Sequence, residues 1–169
     1  PLVPAVVDAV APLPVVAAGG IAAGRGLAAV LLLGASGAMI GSRFYASQES
    51  LAFAAGRAAA LAASGDDTVK GAVYDRLRGY DWPPGYALRT LSNDLTSRWP
   101  SEAAGLDASL ADERAAFLRA VEAGDTRAAP VIVGEAADLI TDLPPAADIV
   151  RRIAREAEDL LRAAPRLTV

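Results

Sequence analysis

Three observations within residues 13–44 predict an α/β fold. The apolar run Pro14-Val15-Val16-Ala17-Ala18 is β-branched at its middle and stops on Gly19-Gly20, which reads as a fully buried strand ended by a glycine turn. Arg25 to Leu33 is dense in Ala and Leu, with Val30 its one β-branched residue. It meets Gly34 where a helix of that length needs a residue at ease with positive φ. Gly37-Ala38-Met39-Ile40 is a second short apolar run, and it ends on Gly41-Ser42.

Two strands joined by one helix with short connections form a βαβ unit, and such crossovers are right-handed with parallel strands. Parallel geometry sets Gly19-Gly20 and Gly41-Ser42 side by side at the carboxyl ends of neighbouring strands. Backbone N–H groups unscreened by Cβ atoms can there point at an anion. Ala18, Gly19, Gly20, Gly41 and Ser42 are therefore the candidate phosphate-binding residues, acting through main-chain N–H groups and the Ser42 hydroxyl. Arg43 either adds charge to this cradle or is a surface arginine. In a (β/α)₈ barrel the loops after the last two strands are a frequent phosphate site, often helped by a short extra helix, which Arg43-Phe44-Tyr45-Ala46 can start.

Three blocks in this order, V-V-A-A-G-G-I, G-R-G-x-A-A and L-G-A-x-G-x-M-I-G-S-R-F, resemble the phosphate-binding end of the FMN-dependent nitronate monooxygenase family. IMP dehydrogenases and FMN-dependent enoyl-ACP reductases share a similar G-G-I and G-S pair. Arg43-Phe44 looks more like the nitronate oxidisers and the enoyl reductases. The resemblance implies an FMN cofactor and a flavin monooxygenase that oxidises nitronates or nitroalkanes with dioxygen. It also implies the C-terminal part of a TIM-type barrel with a small, mainly helical second region. The family's catalytic histidine belongs to an upstream segment and this chain has no histidine, so no catalytic residue is assigned. The open alternatives are an enoyl-ACP reductase-like enzyme, a different phosphate-binding module, and a noncatalytic truncated fragment.

Length points the same way. A complete (β/α)₈ barrel takes roughly 250 residues, and this chain has 169, of which 53% are hydrophobic, ample for a core. A carboxyl-terminal fragment of a longer protein is expected, against the alternative of a small independent α/β domain. The expected division is residues 1–64 as the last βα units, 65–135 as a smaller lid or substrate region, and 136–169 as the closing outer helix of the barrel.

Sixteen Lys and Arg against twenty Asp and Glu give a net charge of -4, and no basic stripe interleaves with aromatics, so a nucleic-acid surface has no support. Cysteine and histidine are both absent, which excludes disulfides, iron-sulfur ligation, thiol catalysis and zinc sites built on those ligands within this segment. No metal site is expected. The uncharged run from Gly26 to Ser42 approaches the lower limit for a membrane span, but Gly34 and Gly37 cut it into a helix-sized and a strand-sized piece. The expected setting is the cytoplasm, with a small substrate and dioxygen as partners and a homodimer left open.

The remaining elements follow from local pattern. Pro1 to Val10 reads as a helix entered at its first turn. Ser47 is placed to cap a helix running through Phe53, Arg57 and Leu61 and ended by Gly65. Asp66 to Tyr74 is loosely alternating and reads as extended, and Gly79 to Gly85, with Pro83-Pro84, as a surface turn region. Trp82, Tyr86, Arg89, Asn93 and Trp99 follow. They read either as a lid over a flavin or as a satellite core, the core reading being preferred for Trp99. Ser109-Leu110-Ala111-Asp112 is a capping-box pattern opening a helix that presents Leu110, Phe117, Leu118 and Val121 on one face and ends at Gly124. In the segment Pro130 to Ala137, Glu135 stands where many members of the resembling family have glutamine. Burying a lone carboxylate is costly, so it must be exposed, paired or protonated. The last helix, Pro145 to Ala164, carries Ile149, Ile153, Ala157, Leu160 and Leu161 on one side, predicted to cover the two strands. Arg152 with Glu156, Arg155 with Asp159, and Glu158 with Arg162 are spaced i,i+4 on the other.

Overall fold

The computed structural model describes residues 2–83, 85–100 and 103–164. The chain begins with α1 (Leu2–Val10), β1 (Val16–Ala18), α2 (Gly24–Leu32), β2 (Gly37–Met39) and α3 (Ser42–Tyr45). Next come α4 (Ala54–Ala62), β3 (Thr68–Gly71), α5 (Val73–Arg78), β4 (Leu88–Leu91), α6 (Asp94–Arg98) and α7 (Leu110–Ala123), and the chain returns in α8 (Ala146–Ala163). The mixed α/β class is as predicted. Two compact units result, Pro1–Ser50 with Leu139–Val169, and Leu51–Asp138.

In the first unit β1 and β2 pair in parallel, Val16 opposite Gly37, Ala17 opposite Ala38 and Ala18 opposite Met39, with α2 as the crossover. Gly34 stands just past α2 at φ 95, as the sequence required. The strands are not fully buried, however. Only Ala17 is, whereas Val16 is 58% and Met39 67% exposed. A strand in a two-stranded sheet has a neighbour on one side only, and here one face packs on Ile21, Val30 and Ala35 while the other is bare.

The last helix also departs from expectation. Ile149, Ile153 and Ala157 are buried as predicted, but α8 packs chiefly on α2 rather than on the strands, and Leu160 is 45% exposed. The cause is Gly24. A Cβ there would lie 2.3 Å from the Glu156 Cβ and 2.7 Å from the Ala157 nitrogen, so the two helices meet only because that atom is missing. Of the three predicted i,i+4 pairs, Glu158 with Arg162 forms. Arg152 instead reaches Asp142, and Glu156 accepts the Gly24 N–H at 3.0 Å, capping the first turn of α2.

In the second unit β3 and β4 form an antiparallel pair, Thr68 opposite Leu91 and Gly71 opposite Leu88. Its core gathers Val73, Tyr74, Leu77, Leu95, Ala103, Leu106 and Phe117, with Trp99 packed against them as the core reading had it. Several local expectations fail here. Ser47 does not cap a helix: its hydroxyl donates to the Phe44 carbonyl at 2.8 Å, and α4 begins only at Ala54. Nor does Gly65 end α4. Ser64 and Asp67 close a capping box around a 3-10 turn, which pulls Ala63 into extended geometry. Val73 and Tyr74 are helical, not extended. The Ser109 side chain makes no cap, because a 3-10 turn at Leu106–Ser109 leads straight into α7. Along α7 Phe117 and Ala120 are buried, while Leu118 at 57% and Val121 at 41% exposure face out, and Gly124 at φ 64 ends the helix as predicted.

Among the described residues no helix is long and apolar enough to cross a membrane. The uncharged run from Gly26 to Ser42 is shared between α2 and β2.

Candidate functional site

The parallel register puts Ala18 beside Met39, so Gly19-Gly20 and Ile40-Gly41 leave the sheet at one edge. Gly19 at φ 90 and Gly20 at φ 71 occupy the left-handed region that only glycine visits at little cost. A Cβ at either would meet nothing within 4 Å, so the space in front of this turn is open. Gly41 differs in an informative way. Its φ of -99 suits any residue, and a Cβ there would also meet nothing within 4 Å. Neither backbone conformation nor packing inside the chain asks for glycine at this position.

The five predicted residues therefore come together. Ala18, Gly19, Gly20 and Gly41 are exposed and Ser42 is half-buried at the start of α3. The Gly41 carbonyl accepts the N–H groups of Phe44 at 2.9 Å and Tyr45 at 3.0 Å, which fixes the turn from β2 into α3.

Arg43 fits neither sequence reading. Its side chain is 1% exposed and turned inward, so it is no surface arginine and touches nothing at the open edge. Its Nη2 donates to the Ala46 carbonyl at 3.1 Å and the Asp142 carbonyl at 2.8 Å, and lies 3.1 Å from Asp142 Oδ1. Its buried Nε has no hydrogen-bond partner. Desolvation pulls the guanidinium below its usual basicity, with Asp142 opposing. Asp142 is gripped by Arg152 through bonds of 2.7 and 3.1 Å. These, ahead of Arg43, hold its carboxyl below the usual carboxylate range. Sequence reasoning missed Asp142, since 99 residues separate it from Arg43 and no local spacing links them.

In the second unit Tyr80, Trp82 and Tyr86 are exposed and, with Asp75 and Arg76, line a cleft of 270 Å³. Asn93 has a structural role. Its amide donates to the Tyr74 hydroxyl at 2.7 Å, the Thr126 carbonyl at 3.0 Å and the Ala129 carbonyl at 3.3 Å, while its Oδ1 accepts the Thr96 N–H that caps α6. Glu135 is exposed and paired with Arg89 at 3.1 Å. Among the described residues no cluster of carboxylates is arranged to hold a metal ion.

Comparison with known proteins gives consistent findings. A family model described as nitronate monooxygenase matches residues 1–156. Nitronate monooxygenase npaC of Metarhizium robertsii is 38% identical over 169 residues, covering 95% of this chain and 46% of that protein. A nitronate monooxygenase of Neurospora crassa is 34% identical over 151 residues, 88% of this chain and 39% of that protein. Among solved structures, FabK from Thermotoga maritima superposes with a TM-score of 0.81 at 30% identity, over 99% of this chain and 51% of that one. Nitroalkane oxidase from Streptomyces ansochromogenes superposes at 0.77 with 29% identity, over 96% of this chain and 44% of that one. The chain spans about half the length, or less, of the relatives it matches.

Proposed function

The chain belongs to the nitronate monooxygenase family, and from that premise we propose that it carries the phosphate-binding end of an FMN-dependent enzyme oxidising nitronates or nitroalkanes with dioxygen. The N–H groups at Gly19, Gly20, Gly41 and Ser42, beside Ala18, would hold the cofactor phosphate, and Gly19 and Gly20 supply the turn that aims them outward. The bound flavin supplies the electron transfer, and this chain anchors and orients it. The observation that carries the reading is Gly41, a glycine that no φ angle and no neighbouring atom requires. A bound group occupying that space is what would require it.

In this reading residues 1–64 are the last βα units of a TIM-type barrel, 65–135 a smaller lid, and 136–169 the outer helix that closes the barrel. The bare faces of Val16 and Met39 suit strands that are flanked by others in a full barrel. A cytoplasmic enzyme, acting on a small substrate and able to pair as a homodimer, completes the proposal.

Gly41→Val tests it. With a permissive φ and open space, the fold should keep its thermal midpoint, while FMN affinity, followed through flavin absorbance and fluorescence quenching, falls at least about tenfold, roughly the loss of one or two charged hydrogen bonds. Undiminished FMN binding by a folded Gly41→Val protein would overturn the reading.

A further inference from the structure

The Arg43 guanidinium begins one residue beyond Ser42, and consecutive Cα atoms lie about 3.8 Å apart. It sits behind the glycine-tipped edge. A buried cation normally has a carboxylate of its own. Arg43 has only a share in Asp142, whose two oxygens are already engaged by Arg152 at 2.7 and 3.1 Å. The other carboxylates near Arg152 are engaged elsewhere, Asp148 with Arg151 at 2.6 Å and Glu156 with the Gly24 N–H at 3.0 Å. Two guanidinium groups thus stand against one carboxylate, leaving a net positive charge, and the buried member has an unfilled donor at Nε.

We propose that the Arg43–Asp142–Arg152 triad is a charge-tuning device that sets how strongly the adjacent edge prefers a phosphate dianion, without touching it. The inference rests on the phosphate-cradle reading above. Surface charges are screened over about 8 Å at physiological ionic strength, and a buried one is screened less. A 1%-exposed guanidinium close to the cradle is therefore in reach of a dianion. Arg43 contributes the field, Asp142 trims it, and Arg152 sets how much of the Asp142 charge is left to do so. In this role Arg43 and its partners determine specificity for the phosphorylated form of the ligand over the same ring system without phosphate.

Opposite changes of charge separate this role from a purely mechanical clamp. Dissociation constants for FMN and for riboflavin, which lacks the phosphate, are measured on the full chain by fluorescence titration at fixed ionic strength. Asp142→Asn keeps the shape and removes the trimming charge, so the preference for FMN over riboflavin should rise about three- to tenfold. Arg152→Met, at a half-exposed position where folding is safe, removes one positive charge, so the preference should fall by a similar factor while riboflavin binding stays put. A clamp would weaken both ligands in both variants, and that result, or an unchanged preference in folded Arg152→Met protein, overturns the inference. The wild-type protein separates the two levels. If it does not prefer FMN to riboflavin, and inorganic phosphate does not compete, the cradle itself is wrong and the triad falls with it.

Discussion

The two units satisfy their polar groups and fill their interiors in different ways. In the second, large side chains carry the core: Tyr74 and Phe117 meet with ring centroids 5.9 Å apart, Leu77, Leu95 and Leu106 are buried beside them, and Asn93 closes four hydrogen bonds. In the first, the interior is made of small residues and missing atoms. Ala17, Ile21, Val30 and Ala35 form its cluster, α1 buries nothing, and two helices touch only where Gly24 lacks a side chain. Glycines at the strand tips leave space that the rest of the chain does not fill. A part of a protein that has spent its side chains on packing has little left for a ligand, whereas open backbone on a rigid edge is suited to one.

The sharpest way to break this contrast is at the helix contact. A Cβ at Gly24 would press on the Glu156 Cβ and on the backbone at Ala157 and Ile153, at 2.3, 2.7 and 2.8 Å, and backbone cannot swing aside. Gly24→Val should therefore cost about 3 kcal/mol or more, at the upper end of overpacking penalties. Thermal unfolding should show a midpoint lower by roughly 6–12 °C. A Gly24→Val protein that melts like the wild type would mean that α2 and α8 do not pack as described.

What could be read from the sequence follows the same contrast. The βαβ unit, the short helix after Gly41 and the stops at Gly34 and Gly124 were legible, because each rests on a glycine or an apolar run within a few residues. The five cradle residues were found by that same local logic. The partners of Arg43, Glu156 and Arg152 were not, since a charged side chain chooses its partner after the fold has brought distant segments together. Gly24 read as one glycine of a motif, but its work is to admit α8 from 132 residues away. The capping patterns at Ser47 and Ser109 misled for a related reason. A capping serine is a local offer that a neighbouring turn can decline, here the carbonyls of Phe44 and Leu106 taking both hydroxyls.

In the second unit the corresponding weak point is Asn93. Asn93→Ala removes the cap of α6 and leaves the carbonyls of Thr126 and Ala129 without their side-chain donor. A lost cap costs about 1 kcal/mol and a stranded buried acceptor about 1–3, so a loss near 2–3 kcal/mol is expected in denaturant unfolding. Asn93→Asp should restore the cap but not the amide donors, falling between the two. Equal stability of the Ala and Asp variants would show that only the donors matter.

The smallest effect separates the units by pH. Burial pushes the Tyr74 phenol up to about 12, the Asn93 hydrogen bond opposing, whereas an unfolded tyrosine titrates near 10. Between those values the unfolded chain has released its proton and the folded chain has kept it, so stability falls as pH rises through this window and is fully present below it. The loss is up to about 2 kcal/mol over the two units. Tyr74→Phe removes the titrating group. It should lower stability at neutral pH by about 1 kcal/mol, through the lost bonds to Asn93 and the Ala128 carbonyl, yet flatten the decline between pH 10 and 12. Urea midpoints collected across that range for both proteins should therefore converge as pH rises. Parallel curves would show that the Tyr74 phenol is not the group whose burial sets the alkaline limit of this unit.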